Sequence, residues 1–74
     1  MQIESNTVII SVTFHDPTRR FGWEFLPDIQ IGITRETFNG LMTRDLEAFE
    51  TVEMYAFPSL DNRVRPSIHT WHEI

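Results

Sequence analysis

TVIISVTF, residues 7–14, is the stretch from which the fold can be predicted. Its residues are almost all β-branched or aromatic, which are the types that fit a pleated surface. Large apolar side chains occupy every second position, and a period of two is that of a β-strand. The stretch therefore predicts a strand with one strongly apolar face, made by Val8, Ile10, Val12 and Phe14.

The residues after this strand predict a turn and then a second strand. HDPTRR, residues 15–20, contains an Asp-Pro turn signal. In FGWEFLPDIQIGI, residues 21–33, apolar side chains alternate again, first aromatic and then isoleucine. Pro27 lies between the two halves and has no backbone N–H to donate, so it marks an edge position, a bulge or a break. The second strand is thus expected in one or two pieces.

An amphipathic helix is predicted over TRETFNGLMTRDLEAFE, residues 34–50, with Thr34 as its N-cap. Two features disturb the helical pattern. Asn39-Gly40 is a helix-stop signal, and Asp45 lies within the apolar arc. Either one helix is kinked near Gly40, which we favour slightly, or two short helices follow each other. In the second case Thr43 is the new N-cap and Asp45 lies in a first turn, where a negative charge is favourable.

The rest of the chain predicts two more strands. Residues 51–57 alternate as a third strand, with a continued helix as the rival because Glu, Met and Ala favour helices. Residues 58–63 predict a turn, and residues 64–74 predict a fourth strand. Pro66 either makes it an edge strand or confines pairing to its second half. The expected fold is α+β, ordered ββαββ: a four-stranded, mainly antiparallel sheet with one amphipathic helix on one face. Residues 1–74 are expected to form a single domain.

Composition narrows the function classes. The chain has 74 residues and no cysteine, so disulfides and thiolate metal sites are excluded. So small a domain needs extra stabilisation, which nine aromatic residues or a partner can supply. A net charge of -5 argues against sequence-independent binding to nucleic acid. No apolar run is long enough to span a bilayer, and residues 1–7 do not resemble a signal peptide, so a cytoplasmic protein is expected.

No catalytic or cofactor motif is present. The chain lacks a Gly-x-Ser-x-Gly motif, and its three glycines form no phosphate-binding loop. His15, His69, His72 and Glu73 are possible zinc ligands, but strict alternation in a strand directs His69 and His72 to opposite faces. We therefore expect no enzyme, no cofactor and no metal. A small metal-dependent enzyme is the less favoured alternative.

Three groups of residues are candidates for contact with a partner. The first is an acidic run that can dock on a basic surface. The second is a set of aromatic residues expected on the sheet face that a single helix leaves open. The third is the one adjacent pair of bases. These candidates are Asp45, Glu47, Glu50 and Glu53, then Tyr55, Phe57 and Trp71, then Arg19 and Arg20.

These observations predict a non-enzymatic protein-binding module, a small acidic inhibitor that occludes a surface of a partner protein. The partner can be a nucleic-acid-binding complex, met through its basic surface, without direct contact to nucleic acid. By compositional analogy alone, this profile is typical of phage and mobile-element proteins that inhibit host machinery, which would place the protein in the host cytoplasm. The alternative is a self-associating structural subunit, for instance a homodimer, that uses its open sheet face or an edge strand.

Overall fold

Three strands and two helices make up the computed structural model, which describes residues 6–74. The elements are β1 (Thr7–His15), β2 (Ile29–Thr34), α1 (Arg35–Met42), α2 (Leu46–Ala56) and β3 (Ser67–Glu73). The strand order is β2-β1-β3, and both pairs are antiparallel. The predicted α+β class is confirmed, and so is the antiparallel sheet. The prediction about residues 1–7 falls almost entirely outside the described residues.

The apolar face of β1 is the centre of the core, as its alternation predicts. Val8, Ile10, Val12 and Phe14 are all at most 2% exposed. The neighbouring strands extend this face, because Ile33 lies opposite Val8 and the two helices cover both. From the helices come the buried side chains of Phe38, Leu41, Ala48 and Val52. Burial of the β1 face against the helices is therefore the main source of stability.

The predicted third strand is wrong, and so is the count of four strands. Residues 51–57 belong to α2 up to Ala56, so the rival prediction of a continued helix is the correct one. The physical reason is visible in the spacing of the buried side chains. Ala48 and Val52 are buried and Ala56 packs against the core, four residues apart each time, which is a helical repeat. The alternation in residues 51–57 is thus incidental.

The predicted second strand is correct only in its last part. β2 begins at Ile29, beyond Pro27, and residues 21–28 form a loop with one isolated bridge between His15 and Phe25. This loop is long because β1 runs beyond the end of β2 by three residues, from Thr13 to His15. The aromatic alternation of residues 21–25 therefore does not represent a sheet face.

Two helices replace the single kinked helix that was slightly favoured. α1 continues through Gly40 and ends at Met42, and Arg44 takes the left-handed conformation with φ of 60°. The N–H of Arg44 donates to Leu41 O at 3.1 Å, and the N–H of Asp45 donates to Gly40 O at 2.9 Å. This pair of bonds is the Schellman motif, which normally has glycine at the left-handed position. Asp45, rather than Thr43, then caps α2.

A β-bulge in β3 explains how two of its residues, three apart, both reach the core. Thr70 pairs with Thr13 but Ile68 pairs with Phe14, so His69 is an extra residue in the ladder. Ile68 and Trp71 consequently both pack against the core. Strict alternation in the strand would direct His69 and His72 to opposite faces of the sheet. The bulge changes the direction of His69, because its ring lies beside those of His15 and Phe25, on the face away from the helices.

Candidate protein-binding surface

The exposed side of α2 carries the strongest candidate for a binding surface. Asp45 caps the helix, and its carboxylate accepts a hydrogen bond from the N–H of Glu47 at 3.1 Å. With the helix starting there, Ala48 and Val52 face the core and the opposite side faces solvent. We call the exposed residues of this helix the α2 outer face: Leu46, Glu47, Glu50, Thr51, Met54 and Tyr55.

Acidic and large apolar side chains alternate on the α2 outer face. Leu46 is 74% exposed, Tyr55 62% and Met54 50%. Residues four apart form two rows, so that Leu46, Glu50 and Met54 follow each other along one line of the helix. α2 contains no basic residue that could neutralise its glutamates. The face therefore combines apolar area with an uncompensated negative charge.

Glu53 belongs to the same acidic run but is directed inward. Its Oε2 accepts a hydrogen bond from the N–H of Ile68 at 3.0 Å, and this bond joins α2 to β3. Partial burial raises the pKa of the Glu53 carboxyl. The bond from Ile68 and the charge of Arg65 lower the pKa in part, while Glu50 adds to the increase. Glu53 therefore connects two elements of its own chain, unlike Glu47 and Glu50.

The raised pKa of Glu53 predicts a specific pH dependence of stability. A carboxyl whose folded-state pKa lies above its ordinary value loses stabilising free energy as the pH rises through that interval. Glu53→Gln keeps an oxygen for the Ile68 N–H and removes the charge. Relative to wild type, this variant should gain a few tenths of a kcal/mol, and at most about 1, between pH 4 and 7, since Glu53 is only partly buried. Urea unfolding at several pH values measures the difference.

Glu47→Gln is the control for that experiment. Glu47 is exposed in the first turn of α2, where a negative charge stabilises the helix. Its replacement should therefore lower the stability at pH 7, which is the opposite sign. A Glu53→Gln variant that loses stability between pH 4 and 7 would contradict the assignment of a raised pKa to Glu53.

Arg65 fixes the connection between α2 and β3. Its Nε donates to Phe57 O at 3.3 Å, and its two other nitrogens donate to Asn62 Oδ1 and Leu60 O. Pro66, the next residue, is almost completely buried. The planar guanidinium is suited to such a set of acceptors because it holds several donors in fixed directions. Arg65 thus has a role within the chain.

The loop that contains Arg19 and Arg20 is held together by Asp16, which is 2% exposed. The Asp16 carboxylate accepts from the Thr18 hydroxyl at 2.7 Å and from the N–H of Phe21 at 3.3 Å. Burial on its own would raise the pKa of Asp16, but these bonds and those from two further N–H groups keep the pKa below its ordinary value. Asp16 therefore organises the loop.

The two arginines differ in their surroundings. Arg19 has the left-handed φ of 52°, and its Nη2 lies 3.4 Å from Glu24 Oε1. Arg20 is exposed. Both lie in the connection between β1 and β2, and the ring of Phe21, the next residue, lies 5.6 Å from that of Phe57, the C-cap of α2. Neither arginine belongs to the α2 outer face, which consists of residues of α2 alone.

Only one of the three aromatic candidates lies on the α2 outer face. Tyr55 is exposed there, whereas Phe57 packs edge-on against Phe14 with ring centroids 4.9 Å apart. Trp71 packs in the same manner against Phe38, at 5.6 Å. Phe57 and Trp71 thus contact the core on the helix side of the sheet. They do not lie on the open sheet face where they were expected.

Leu46 and Met54 are surface residues that the sequence analysis missed. The predicted helix over residues 34–50 includes Leu46, and the predicted strand over residues 51–57 includes Met54. The signal that could have identified them is the spacing of Ala48, Val52 and Ala56, which fixes the buried side of α2. Once that side is known, Leu46 and Met54 must point outward.

The sheet face away from the helices is mostly polar. On it, the hydroxyls of Ser11 and Thr13 both donate to the carboxylate of Asp28. His15 stacks on Phe25 with centroids 4.7 Å apart, and its Nε2 lies 3.4 Å from Glu24 Oε2. Within residues 6–74, no three His, Asp or Glu side chains are grouped so that they could hold a metal ion. Every buried side-chain polar atom in this part of the chain has a hydrogen-bond partner.

No helix in the described part of the chain is long and apolar enough to cross a membrane. Comparisons of the chain with protein-family models, with curated proteins and with solved structures found no match.

Proposed function

We propose that the protein is a non-enzymatic protein-binding module that covers a surface of its partner with the α2 outer face. One observation carries the proposal: exposed Leu46, Met54 and Tyr55 are interleaved with the acidic Glu47 and Glu50 on one side of a helix. Exposed apolar groups that cluster on one surface are typical of interaction sites. Leu46 and Met54 are eight residues apart, so they lie on the same side of the helix, and a helix with such a side can lie in an apolar groove of another protein.

The charge of this face indicates the chemistry of the partner. Glu47 and Glu50 are exposed, α2 has no base, and the whole chain carries a net charge of -5. A partner surface with an apolar depression bordered by Arg or Lys would be complementary, and the charges would accelerate the encounter. Coverage of such a basic surface would occlude it, so the proposed action is inhibition by obstruction. The origin from a phage or mobile element and the cytoplasmic location stay predictions from composition.

Affinity capture with mass spectrometry tests this proposal. Glu47→Lys/Glu50→Lys reverses the charge of the α2 outer face, and Leu46→Ala/Met54→Ala removes its apolar area. Each pair should weaken capture of a stoichiometric partner by about tenfold or more, because residues at the centre of an interface carry most of its binding energy. Glu24→Lys/Glu73→Lys makes the same charge change in the β1–β2 connection and in β3 and should retain the partner.

The readout separates loss of binding from loss of folding. All these positions are exposed, so each variant should give the far-UV circular dichroism spectrum and unfolding curve of a folded protein. Full binding by both α2 pairs would refute the assignment of this surface. Absence of any stoichiometric partner at low and at moderate salt would count against a protein-binding module altogether.

A further inference from the structure

The outer edge of β2 has backbone groups that no other strand within residues 6–74 covers. The N–H of Arg35 donates to Asn6 O at 2.8 Å. This bond shows which of the opposite residue pairs of β1 and β2 are the hydrogen-bonded ones. Because hydrogen-bonded pairs alternate, Ile29, Ile31 and Ile33 bond to β1. Gln30 and Gly32 therefore direct both their N–H and their C=O groups away from the sheet.

The two edges of the sheet differ in their protection. β3 has a bulge at His69, follows Pro66 and has the N–H of Ile68 bonded to Glu53. Bulges, prolines and charges are the features by which proteins prevent an edge from pairing. β2 has the sequence IQIGIT, with no charge, no proline and no bulge. Among the described strands, it is therefore β2 that can accept a further strand.

A groove adjoins this edge on the helix side. It has a volume of about 170 Å³ and lies between β2 and the two helices. Its lining is mostly apolar and includes Ile33, Val52 and Tyr55. Ile29, at the other end of β2, is on the same side of the sheet as Ile33 and is 38% exposed. β2 thus has an exposed apolar side chain, Ile29, at one end and an apolar groove, beside Ile33, at the other.

We propose that a second copy of the chain pairs with β2 through its own β2, antiparallel, with Ile31 on the two-fold axis. Gln30 of each copy then exchanges hydrogen bonds with Gly32 of the other. Ile29 lies opposite Ile33 of the other copy and enters the groove beside it. The two three-stranded sheets become one continuous sheet, with all helices on the same side.

The charges at the ends of β2 favour this antiparallel arrangement. Asp28 precedes the strand and Arg35 follows it. In the proposed register Asp28 lies opposite Thr34 of the other copy, next to its Arg35, so opposite charges meet at both ends. A parallel arrangement would place like charges together. The inference is independent of the proposed function, since the dimer leaves the α2 outer face exposed except for Thr51 and Tyr55 at the border of the groove.

Sedimentation equilibrium from micromolar to submillimolar concentration tests the dimer. Gln30→Pro removes an outward N–H that makes no bond to β1, and Gln30→Thr keeps that N–H and serves as the control. The proline variant should weaken the dimer by roughly 10- to 100-fold, because symmetry removes two interchain hydrogen bonds at once. Added salt should tighten the wild-type dimer by screening the repulsion between two chains of charge -5.

A cysteine cross-link tests the register. Because the chain has no cysteine, a single introduced thiol can form a disulfide only with another copy. In the proposed register, residues 31 of the two copies are a non-hydrogen-bonded pair with Cα atoms about 4.5 Å apart, which a disulfide can bridge. Ile31→Cys should therefore form a covalent dimer under mild oxidation. Residues 29 of the two copies lie about 13 Å apart, so Ile29→Cys is the matched control.

Three results would overturn the inference. The first is a wild-type protein that is monomeric throughout the concentration range. The second is a dimer that Gln30→Pro leaves unchanged. The third is cross-linking of Ile29→Cys as fast as that of Ile31→Cys. These outcomes are separate from failure of the proposed function, because affinity capture of a different protein through the α2 outer face does not depend on the β2 edge.

Discussion

Phe14→Ala is expected to lower the urea midpoint of unfolding strongly at 25 °C. Phe14 has no exposed surface, lies at the bulged pair with Ile68 and packs edge-on against Phe57. Truncation of a buried phenylalanine costs about 3–5 kcal/mol. A domain of this length has a total free energy of unfolding of about 4–11 kcal/mol. One substitution thus removes about a quarter or more of the stability. Urea unfolding followed by circular dichroism measures the loss.

Phe25→Ala is the matched control for Phe14→Ala. The substitution removes the same volume, but Phe25 is 46% exposed, and its neighbours are the rings of His15 and His69. Its loss should cost no more than about 1 kcal/mol, as is usual at the surface. Equal losses for the two variants would show that the inner face of β1 is not the main core.

The sequence was sufficient to predict the parts of the fold that rest on a repeated pattern. β1 is the clearest case, because Val8, Ile10 and Val12 alternate without interruption and are all buried. Thr34 was expected to cap a helix, and its hydroxyl does accept the N–H of Thr37 at 3.1 Å. In both cases the determinant is local: a period of two, or one side chain next to free N–H groups.

The parts that were predicted wrongly depend on contacts between distant residues. Nothing near Arg44 marks it as the end of α1, because the left-handed position normally selects glycine. α1 and α2 lie close together just before this position, since a Cβ atom at Gly40 would be 2.6 Å from the Cβ of Ala48. Residues 51–57 taken alone fit a strand and a helix about equally well, and the helix is distinguished only when Ala48 is included, because Ala48, Val52 and Ala56 are four residues apart and lie against the core.

In the candidate site, too, local patterns were predicted correctly and features that depend on distant contacts were not. The acidic run was visible in the sequence, and Glu47 and Glu50 do lie together on an exposed helix face. The aromatic candidates were assigned by assuming an open face of a four-stranded sheet. Because α2 takes the place of the third strand, Phe57 follows the helix into the core, and only Tyr55 remains at the surface. The wrong prediction of the third strand therefore led to a wrong prediction of which aromatic side chains a partner can reach.

Gly40→Val is expected to separate the two helices and to destabilise the protein by about 3 kcal/mol or more, at the upper end of the effects of overpacking. Gly40 lies within α1, and a Cβ atom there would be only 2.6 Å from the Cβ of Ala48 in α2. Ordinary carbon contacts are about 3.5–4.0 Å, and both atoms are fixed to helix backbones. The helices would have to move apart and expose Leu41 and Val52, which are now buried.

Gly40→Ala decides between helix propensity and close packing. In an unconstrained helix interior this change stabilises by about 1 kcal/mol. Here the 2.6 Å contact opposes it, so we expect a net loss of about 1–2 kcal/mol. Ala48→Gly in the same chain removes the opposing methyl group, and the double variant should regain most of the loss, which gives a coupling energy of at least about 1 kcal/mol. A Gly40→Ala variant that is more stable than wild type would show that α1 and α2 do not pack at this distance.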